Sequence, residues 1–437
     1  MTTSSEGSEA DAAAAERQPE FGSATSYYVL GLLFVVYVFN FIDRQVLAIL
    51  LEDIKAEFGV SDTAMGFLSG FAFVVFYTLA GIPIARWADR GSRRSIIALG
   101  LAVWSAMTVA CGLAQSFVQL ALARLGVGTG EAAGTPPSHS MISDYFPPER
   151  RATALSIYAQ GIYIGAMIAY LAGGAIREAF DWRVAFFIVG TPGIALALLV
   201  RLTVREPTRG YWETTQPREA ESFSTVLRLL FSSRAFRWLL AAACCQALSG
   251  YGFLSWGPTF LHRVHEMSFV DIGIWLGLII GIAGSAGAYL GGIVSDKLGA
   301  GDERWYVWLS AIVSAIGVPF AMGFLLLDAQ LAALLCFIPF YFVSAMYVGP
   351  MWSMVQSLVK PNMRATASAI LLFILNIVGL GAGPQLVGIL NDGLAESQGP
   401  FAIRYSLLAV AMVGGLAAIF FAGSAKTLRE ELRAAAE

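Results

Sequence analysis

Residues 137–157 read PSHSMISDYFPPERRATALSI, and residues 350–370 read PMWSMVQSLVKPNMRATASAI, so a similar segment occurs twice, 213 residues apart. Nine of the 21 aligned positions are identical, including the Arg-Ala-Thr-Ala run that begins at Arg151 and again at Arg364. A repeat at so long a spacing predicts that the chain is built from two structurally related halves.

The composition is that of a membrane protein. Of the 437 residues, 57% are apolar and 14% are charged, and the mean hydropathy is +0.66, whereas soluble domains carry about 25% charged residues. Apolar runs of about 20 residues recur along the chain, each long enough to cross about 30 Å of hydrocarbon. A duplicated membrane chain is typical of transporters. No basic stripe with exposed aromatics occurs, which argues against nucleic-acid binding.

The apolar runs predict an all-α membrane protein with twelve transmembrane helices in two pseudo-symmetric six-helix bundles. The predicted helices 1 to 12 cover residues 27–50, 64–86, 95–116, 118–142, 153–177, 183–203, 235–261, 269–295, 305–327, 330–357, 365–391 and 401–424. The predicted domains are a disordered cytoplasmic tail (1–26), the N-half (27–203), a cytoplasmic connection (204–234), the C-half (235–424) and a cytoplasmic tail (425–437).

Lysine and arginine placement orients the chain, because cytoplasmic loops are enriched in these residues. With the N-terminus inside, 21 of the 28 basic residues fall on the cytoplasmic side, five on the outer side and two within the membrane. Both termini are therefore predicted to be cytoplasmic.

Several motifs resemble those of the major facilitator superfamily. Its signature between helices 2 and 3 is G-x-x-x-D-R/K-x-G-R-R/K, and residues 85–94 read ARWADRGSRR, with both glycines replaced. Arg124-x-x-x-Gly128 matches the pattern of helix 4. Within the superfamily, residues 41–45 (FIDRQ) and 128–133 (GTGEAA) resemble the Spinster group. The resemblance implies a lipid transporter, because eukaryotic members of that group include lysophospholipid and sphingosine-1-phosphate carriers. It also implies a monomer.

Four charged residues lie well inside predicted helices, away from their ends: Asp43, Arg44, Arg124 and Glu131. Left without partners they would cost on the order of 10 kcal/mol together, so each must face a partner or a watery cavity. Helix 1 runs outward and helix 4 inward, which puts Asp43 and Arg124 at a similar depth. Glu131 lies seven residues past Arg124, on the same face and about 10 Å deeper.

We interpret Asp43 and Glu131 as proton-coupling residues. Burial favours the neutral form of a carboxyl group and a nearby arginine favours its ionised form, so a change of partner can couple proton uptake to shape. Arg44 and Arg124 would hold an anionic substrate or switch partners. Tyr37 and Asn40 share a face with Arg44 and could line a cavity. The alternative is a purely structural network of buried ion pairs.

The C-half has no comparable charge within its predicted helices, so it would mainly shape the substrate site. An apolar C-half would suit an acyl chain and a charged N-half a polar headgroup. Several polar or aromatic C-half residues could line the site, although ordinary helix packing explains each of them as well. These residues are Gln246, Tyr251, Trp256, Tyr347, Trp352, Gln356 and Asn376.

A cytoplasmic gate is predicted from charges at the inner helix ends, where the resemblance places pairs that break and re-form between the halves. The Asp89-Arg90 motif has a counterpart in Asp296-Lys297, 207 residues further on. Simple positive-inside topology is the alternative explanation for the basic members. The predicted gate residues are Asp89, Arg90, Arg93, Arg94, Arg151, Asp296, Lys297 and Arg364.

The sequence thus favours a secondary active transporter that moves an amphiphilic, lipid-like anion by alternating access, with protons as the coupling ion. A proton-coupled carrier of small organic anions or drugs is the alternative, and a substrate-sensing receptor on the same scaffold is a weaker one. No catalytic set, metal-ligand spacing or cofactor motif is evident, so we expect no enzyme and no cofactor. A bacterial inner membrane is the expected location.

Overall fold

The computed structural model describes residues 23–212 and 223–436, and every regular element in these two stretches is helical. The N-half contains α1 (Ser23–Phe58), α2 (Asp62–Ser69), α3 (Phe71–Arg90), α4 (Arg93–Gly112), α5 (Phe117–Glu131), α6 (Thr135–Tyr145), α7 (Pro148–Ala159), α8 (Gly161–Ala179) and α9 (Trp182–Thr203). The rest contains α10 (Phe223–Ser232), α11 (Arg234–His265), α12 (Phe269–Leu278), α13 (Gly284–Gly299), α14 (Trp305–Leu326), α15 (Gln330–Ala345), α16 (Val348–Ser357), α17 (Arg364–Leu375), α18 (Gly383–Gln398), α19 (Ala402–Ser424) and α20 (Leu428–Ala436).

Ten described helical stretches are long and apolar enough to cross a membrane. Predicted helix 4 is absent from the ten because it is divided into α5 and α6, each too short to qualify alone. Predicted helices 11 and 12 run together as one stretch, Thr366–Ser424. With these two adjustments the ten stretches are consistent with the twelve predicted spans.

The two halves interrupt their helices at corresponding places. α5 and α6 are separated near Ala133, and α15 and α16 are separated near Met346, which is 213 residues later and so matches the offset of the sequence repeat. π-helical turns, which widen the helix by one residue per turn, occur at Ile279–Ala283 and Asn376–Ala382 in the C-half. The second coincides with the run of glycines that precedes Pro384.

Two short helices at the cytoplasmic end were not predicted. α10 lies in the connection between the halves, and α20 lies in the C-terminal tail. Glu431 on α20 accepts hydrogen bonds from the Ser233 hydroxyl and from the backbone amides of Arg234 and Ala235, so α20 caps the first turn of α11. Residues 1–22 of the predicted disordered tail lie outside the described residues. Residues 23–26 are helical and begin α1.

We name the two ends of the bundle by the predicted orientation, so that the C-terminal end of α1 is the outer end. One cluster of buried apolar residues runs through the N-half and into the outer parts of several C-half helices, among them α11, α12, α14, α15 and α19. A second cluster fills the cytoplasmic part of the C-half alone. The halves are therefore packed together at the outer end, and the charged site lies below that closure.

Candidate functional site

Four ionisable side chains meet in the middle of the N-half, and we call them the charge cluster. α1 carries Asp43 and Arg44, and α5 carries Arg124 and Glu131. Asp43, Arg124 and Glu131 are at most 2% exposed. Each helix contributes one acid and one arginine, and each acid pairs with the arginine of the other helix. The cluster is therefore neutral as a whole when all four groups are ionised.

The first pair joins Asp43 to Arg124. The Nη1 atom of Arg124 lies 3.3 Å from Oδ1 of Asp43 and 3.5 Å from its backbone oxygen. The other carboxylate oxygen, Oδ2, contacts the hydroxyl of Thr108 on α4, which is also 2.9 Å from the carbonyl oxygen of Trp104. The similar depth inferred from the sequence for Asp43 and Arg124 agrees with this contact.

The second pair joins Arg44 to Glu131, with Nε of Arg44 2.6 Å from Oε2 of Glu131. Arg44 reaches a carboxylate seven residues deeper than Arg124 because helical side chains point toward the N-terminus, which is inward for α1. The second oxygen of Glu131, Oε1, is buried and has no hydrogen-bond partner, and neither has Nε of Arg124. Each of the two ion pairs thus keeps one buried polar atom without a hydrogen-bond partner.

Aromatic rings of α1 and α3 surround the arginines. The Arg44 guanidinium lies 5.2 Å from the ring centroid of Phe41, 5.0 Å from Phe73 and 4.8 Å from Tyr77. The Arg124 guanidinium lies 5.6 Å from the same Phe73 ring. Rings within about 6 Å stabilise a cation without neutralising it, so Phe73 supports both arginines. Phe73, Tyr77 and Thr108 were not among the predicted site residues.

A polar cavity of about 10 Å³ borders the cluster and reaches the C-half. Its volume is about that of one water molecule. Both arginines line it, together with Gln45 and Ser69 of the N-half and Tyr251 and Ser255 of α11. The arginines are therefore the members of the charge cluster that face the opposite half.

The other two predicted residues of the α1 stripe lie nearer the cytoplasmic end. Tyr37 stacks on Tyr158, with ring centroids 4.3 Å apart. Asn40 is 3% exposed, and its side-chain oxygen has no partner. Neither residue contacts the carboxylates of the charge cluster in a described hydrogen bond, and their proposed role in lining the site stays a prediction.

The outer end is closed by hydrogen bonds and an ion pair between the halves. We call this set the outer closure: Glu52, Asp62, Arg263, Asn391 and Asp392. Arg263 of α11 donates to both carboxylate oxygens of Asp62, at 2.6 and 2.9 Å, and lies 2.7 Å from Glu52. Asn391 donates to Asp62 at 3.0 Å. The Asp392 carboxylate accepts from the backbone amides of residues 62 and 63, at 3.1 and 2.8 Å, and so caps the N-terminus of α2 from the opposite half.

Backbone also meets backbone at the outer closure. A Cβ atom placed on Gly388 of α18 would overlap the carbonyl of Asp62. A Cβ on Gly174 of α8 would overlap the carbonyl of Phe269, and one on Gly273 of α12 would overlap that of Tyr170. Only glycine permits approach this close, so these three positions allow the halves to seal. The sequence reasoning did not identify the outer closure.

The predicted cytoplasmic gate residues make no described pair across the halves. Asp296 accepts from Tyr306 at 2.9 Å, and Arg364 donates to the Gln356 carbonyl at 3.2 Å, both within the C-half. Asp89, Arg90 and Lys297 are exposed, and Arg151 is half-buried with Nε lacking a partner. A closed outer end together with separated inner charges describes a carrier open toward the end assigned to the cytoplasm. The gate role of these residues stays a prediction.

Arg93 and Arg94 bond within the N-half instead. Arg93 is 1% exposed and donates to Asp144 and to Glu206, the latter at 2.8 Å. Arg94 donates its backbone amide to Glu206 and a side-chain bond to the Val204 carbonyl. Partial burial alone would raise the pKa of Glu206, but the hydrogen bonds from Arg93, Arg94 and Ser92 outweigh it and hold the pKa below its usual value. In this conformation Arg93 therefore links α4 to α6 and to the segment that follows α9.

The C-half candidates differ in their surroundings. Gln246 donates to Ser314 at 2.6 Å, and Trp256 donates to the Pro384 carbonyl at 2.9 Å, so both are satisfied by packing inside the C-half. Tyr251 borders the polar cavity and lies within electrostatic range of Arg44. A role in lining the site stays a prediction for the remaining candidates, which are Tyr347, Trp352, Gln356 and Asn376.

The fold and the site together define a membrane carrier: two related helical halves, a charged centre and a closure at one end only. The profile of the Major Facilitator Superfamily matches residues 33–384, and the chain belongs to this superfamily. Its members are transporters and not enzymes. The chain is thus an integral membrane protein, and its bacterial relatives indicate the bacterial inner membrane.

Within the superfamily the chain is related to the Spinster proteins. A crystal structure of a bacterial homolog of the human lysosomal transporter Spinster, in an inward-facing and unoccupied conformation, is 32% identical, with a TM-score of 0.85 over 94% of this chain and 99% of that chain. Human protein spinster homolog 1 is 26% identical over 94% of this chain and 82% of its own length. An MFS-type efflux pump of Mycolicibacterium smegmatis is 32% identical over 90% of this chain and 92% of its own length.

Proposed function

We propose that the chain is a secondary active transporter that moves an amphiphilic, lipid-like anion by alternating access and couples this movement to protons at Asp43 and Glu131. The substrate would be of the lysophospholipid or sphingoid phosphate class. The observation that carries the proposal is the crossed pairing of two buried acids with two arginines beside a polar cavity that reaches the other half.

The pairing links proton binding to the availability of positive charge. Protonation of Glu131 removes the ionic partner of Arg44, and protonation of Asp43 removes that of Arg124. A buried arginine without its partner costs several kcal/mol, so the protonated cluster favours the entry of a substrate anion. Release of the proton would return each arginine to its acid and expel the anion.

The Thr108 hydroxyl suits Asp43 in either protonation state. It has one hydrogen but lies within hydrogen-bond distance of two oxygens, Oδ2 of Asp43 and the carbonyl of Trp104. An ionised Asp43 can accept that hydrogen. A protonated Asp43 can instead donate to the hydroxyl oxygen, which then donates to the Trp104 carbonyl. Both forms of the acid thus find a partner without movement of the backbone.

The difference between the halves supports a lipid-like substrate. The charge cluster lies in the N-half, whereas the described charges of the C-half lie near helix ends. A headgroup beside Arg44 and an acyl chain along the neutral C-half would use both. The Spinster relatives support a lipid-like cargo, and the similarity to an efflux pump supports the alternative, a proton-coupled carrier of small organic anions or drugs.

Uptake into liposomes tests the proposal. The purified protein is reconstituted, a pH gradient is imposed in either direction, and movement of a labelled lysophospholipid or sphingoid phosphate is compared with that of a short-chain organic anion. We expect gradient-driven lipid movement in the wild type and its loss in Asp43→Asn. The matched control is Asp328→Asn, because Asp328 is exposed and pairs with Arg404 away from the site.

The two substrate classes give opposite results in competition. Excess unlabelled lysolipid should abolish lipid movement, and short-chain anions should not. Movement of the small anion alone would replace the proposed substrate class with the alternative. Gradient-driven movement that Asp43→Asn leaves unchanged would remove Asp43 from the coupling mechanism.

A further inference from the structure

Six tyrosines differ from the other nine in the chain, and we call them the tyrosine cluster: Tyr37, Tyr77, Tyr163, Tyr251, Tyr341 and Tyr347. All six are half-buried, and among the described hydrogen bonds none involves their hydroxyls. The other tyrosines are used or lie on the surface. Polar partners are available to Tyr28, Tyr145, Tyr158, Tyr170 and Tyr306. Tyr211 lies in the segment after α9 and contacts the Trp212 ring, and Tyr27, Tyr289 and Tyr405 are 43–67% exposed.

Two members of the tyrosine cluster lie beside Arg44, and Tyr37 lies nearer the cytoplasmic end. The Tyr77 ring centroid lies 4.8 Å from the Arg44 guanidinium, and Tyr251 lines the polar cavity with Arg44. Further toward α13, the rings of Tyr163 and Tyr341 both pack on Gly284, within 3 Å of where its Cβ would lie. Tyr347 lies in the break between α15 and α16, six residues after Tyr341.

The members come equally from the two halves. Tyr37, Tyr77 and Tyr163 belong to α1, α3 and α8, whereas Tyr251, Tyr341 and Tyr347 belong to α11, α15 and the break before α16. None of the six hydroxyls is among the fully enclosed polar atoms that lack a partner, so each is open to water or to a ligand. Because Tyr77 and Tyr251 lie beside Arg44, this part of the space between the halves offers neutral donors next to a positive centre.

We propose that the hydroxyls of the tyrosine cluster, together with Arg44, bind the phosphate ester headgroup of the substrate. This inference rests on the proposed function and names the group that the site recognises. A phosphate ester presents at least two unesterified oxygens and an ester oxygen, so it can accept from several phenols and one guanidinium at once. A carboxylate offers only two oxygens and would leave more of the phenols without a partner.

The cluster would also make the headgroup the link between the halves. The phenols of α11 and α15 supply donors from the C-half, while Arg44 and Tyr77 act from the N-half. A ligand held from both sides stabilises a conformation in which the two sets of donors converge. The C-half thus selects the headgroup through neutral donors, although it carries no charge at this level.

Headgroup preference in binding is the measurement that tests this. Affinities of 1-palmitoyl lysophosphatidic acid and of palmitate, which share an acyl chain, are measured by competition against a fluorescent lysolipid on purified wild type and on the double variant Tyr341→Phe/Tyr347→Phe. Phenylalanine keeps the ring and removes only the hydroxyl. We expect the double variant to bind the phosphate lipid on the order of 100-fold more weakly, about tenfold per hydroxyl, with palmitate changed by less than about threefold.

The control is Tyr289→Phe/Tyr405→Phe, which removes two hydroxyls from the exposed surface and should leave both affinities unchanged. Tyr251→Phe serves as a second variant, with the same expected direction. An unchanged preference for phosphate over carboxylate in both cluster variants would overturn the inference while leaving the proposed function in place. Failure of the wild type to bind either lipid would overturn the proposed function, and the inference with it.

Discussion

Replacing Asp62 with asparagine should shift the carrier from the conformation described here toward one that is open at the outer end. Asp62 is 3% exposed and accepts two hydrogen bonds from Arg263 and one from Asn391, all of them from the C-half. Its ion pair with Lys55 stays within the N-half and persists in either conformation. Only the three bonds between the halves therefore bear on the equilibrium.

The magnitude follows from those bonds. A hydrogen bond to a charged group contributes about 1.5–3 kcal/mol, and asparagine keeps one acceptor oxygen while Arg263 keeps Glu52 at 2.7 Å. The loss between the halves should thus be about 2–3 kcal/mol, well below the sum of the separate bonds. At about 1.4 kcal/mol per tenfold change, the ratio of outer-closed to outer-open molecules should fall about 30- to 150-fold.

Pairs of spin labels measure this ratio directly. In a background without the four native cysteines, one pair at Ala56 and Glu396 reports the outer end, and a second pair at Arg150 and Glu303 reports the inner end. All four positions are exposed. We expect a longer outer distance and a shorter inner distance to gain population in Asp62→Asn.

The matched control is Asp328→Asn, which makes the same chemical change at an acid that pairs with Arg404 inside the C-half. It should leave both distance distributions as in the wild type. If Asp62→Asn also leaves them unchanged, or if the control moves them equally, the outer closure does not hold the halves together as reasoned here.

Three further predictions concern other positions. Gly388→Val should also favour the outer-open state, because its side chain would overlap the Asp62 carbonyl; cysteine accessibility at the outer end checks this, and unchanged labelling would contradict it. Glu431→Gln should lower stability by about 1 kcal/mol, because the cap of α11 loses its charge; an unaltered thermal melt would count against that cap. The pKa of Glu206 is depressed in the fold, so its stabilising contribution is present above the unfolded pKa of about 4.3 and is lost as the pH falls through the lower folded pKa. Thermal melts of Glu206→Gln at decreasing pH should lack this part of the decline in stability. A decline identical to that of the wild type would refute the assignment.

The spans could be predicted because a membrane helix needs about 20 apolar residues whatever its neighbours are. Predicted helix 10, residues 330–357, ends where α16 ends, and predicted helix 6 differs from α9 by one residue. Composition does not reveal backbone irregularities, so the division of predicted helix 4 near Ala133 went unnoticed. α10 and α20 were missed because short amphipathic helices bury one face only against the rest of the fold.

The charge cluster could be predicted because a charge within a membrane helix is expensive and therefore rare. Counting residues from the predicted helix ends placed Asp43 and Arg124 at a similar depth, since the two helices run in opposite directions. It could not identify Phe73, Tyr77 or Thr108, because aromatic and hydroxyl side chains cost little in a membrane and occur throughout such helices.

The outer closure was missed for a different reason. Asp62, Arg263 and Asp392 lie at predicted helix ends, where charges are expected on grounds of topology alone. Their pairing depends on how the two halves dock, and the pattern of a single half does not contain that information.

Proton movement during lipid transport tests the central claim most directly. Liposomes that contain the protein and an internal pH dye receive a lysophospholipid with no imposed gradient, and the pH change is followed together with the lipid that moves. We predict that the wild type moves protons in a fixed ratio to lipid, and that Asp43→Asn abolishes the proton movement. Lipid movement by the wild type with no accompanying pH change would contradict the account.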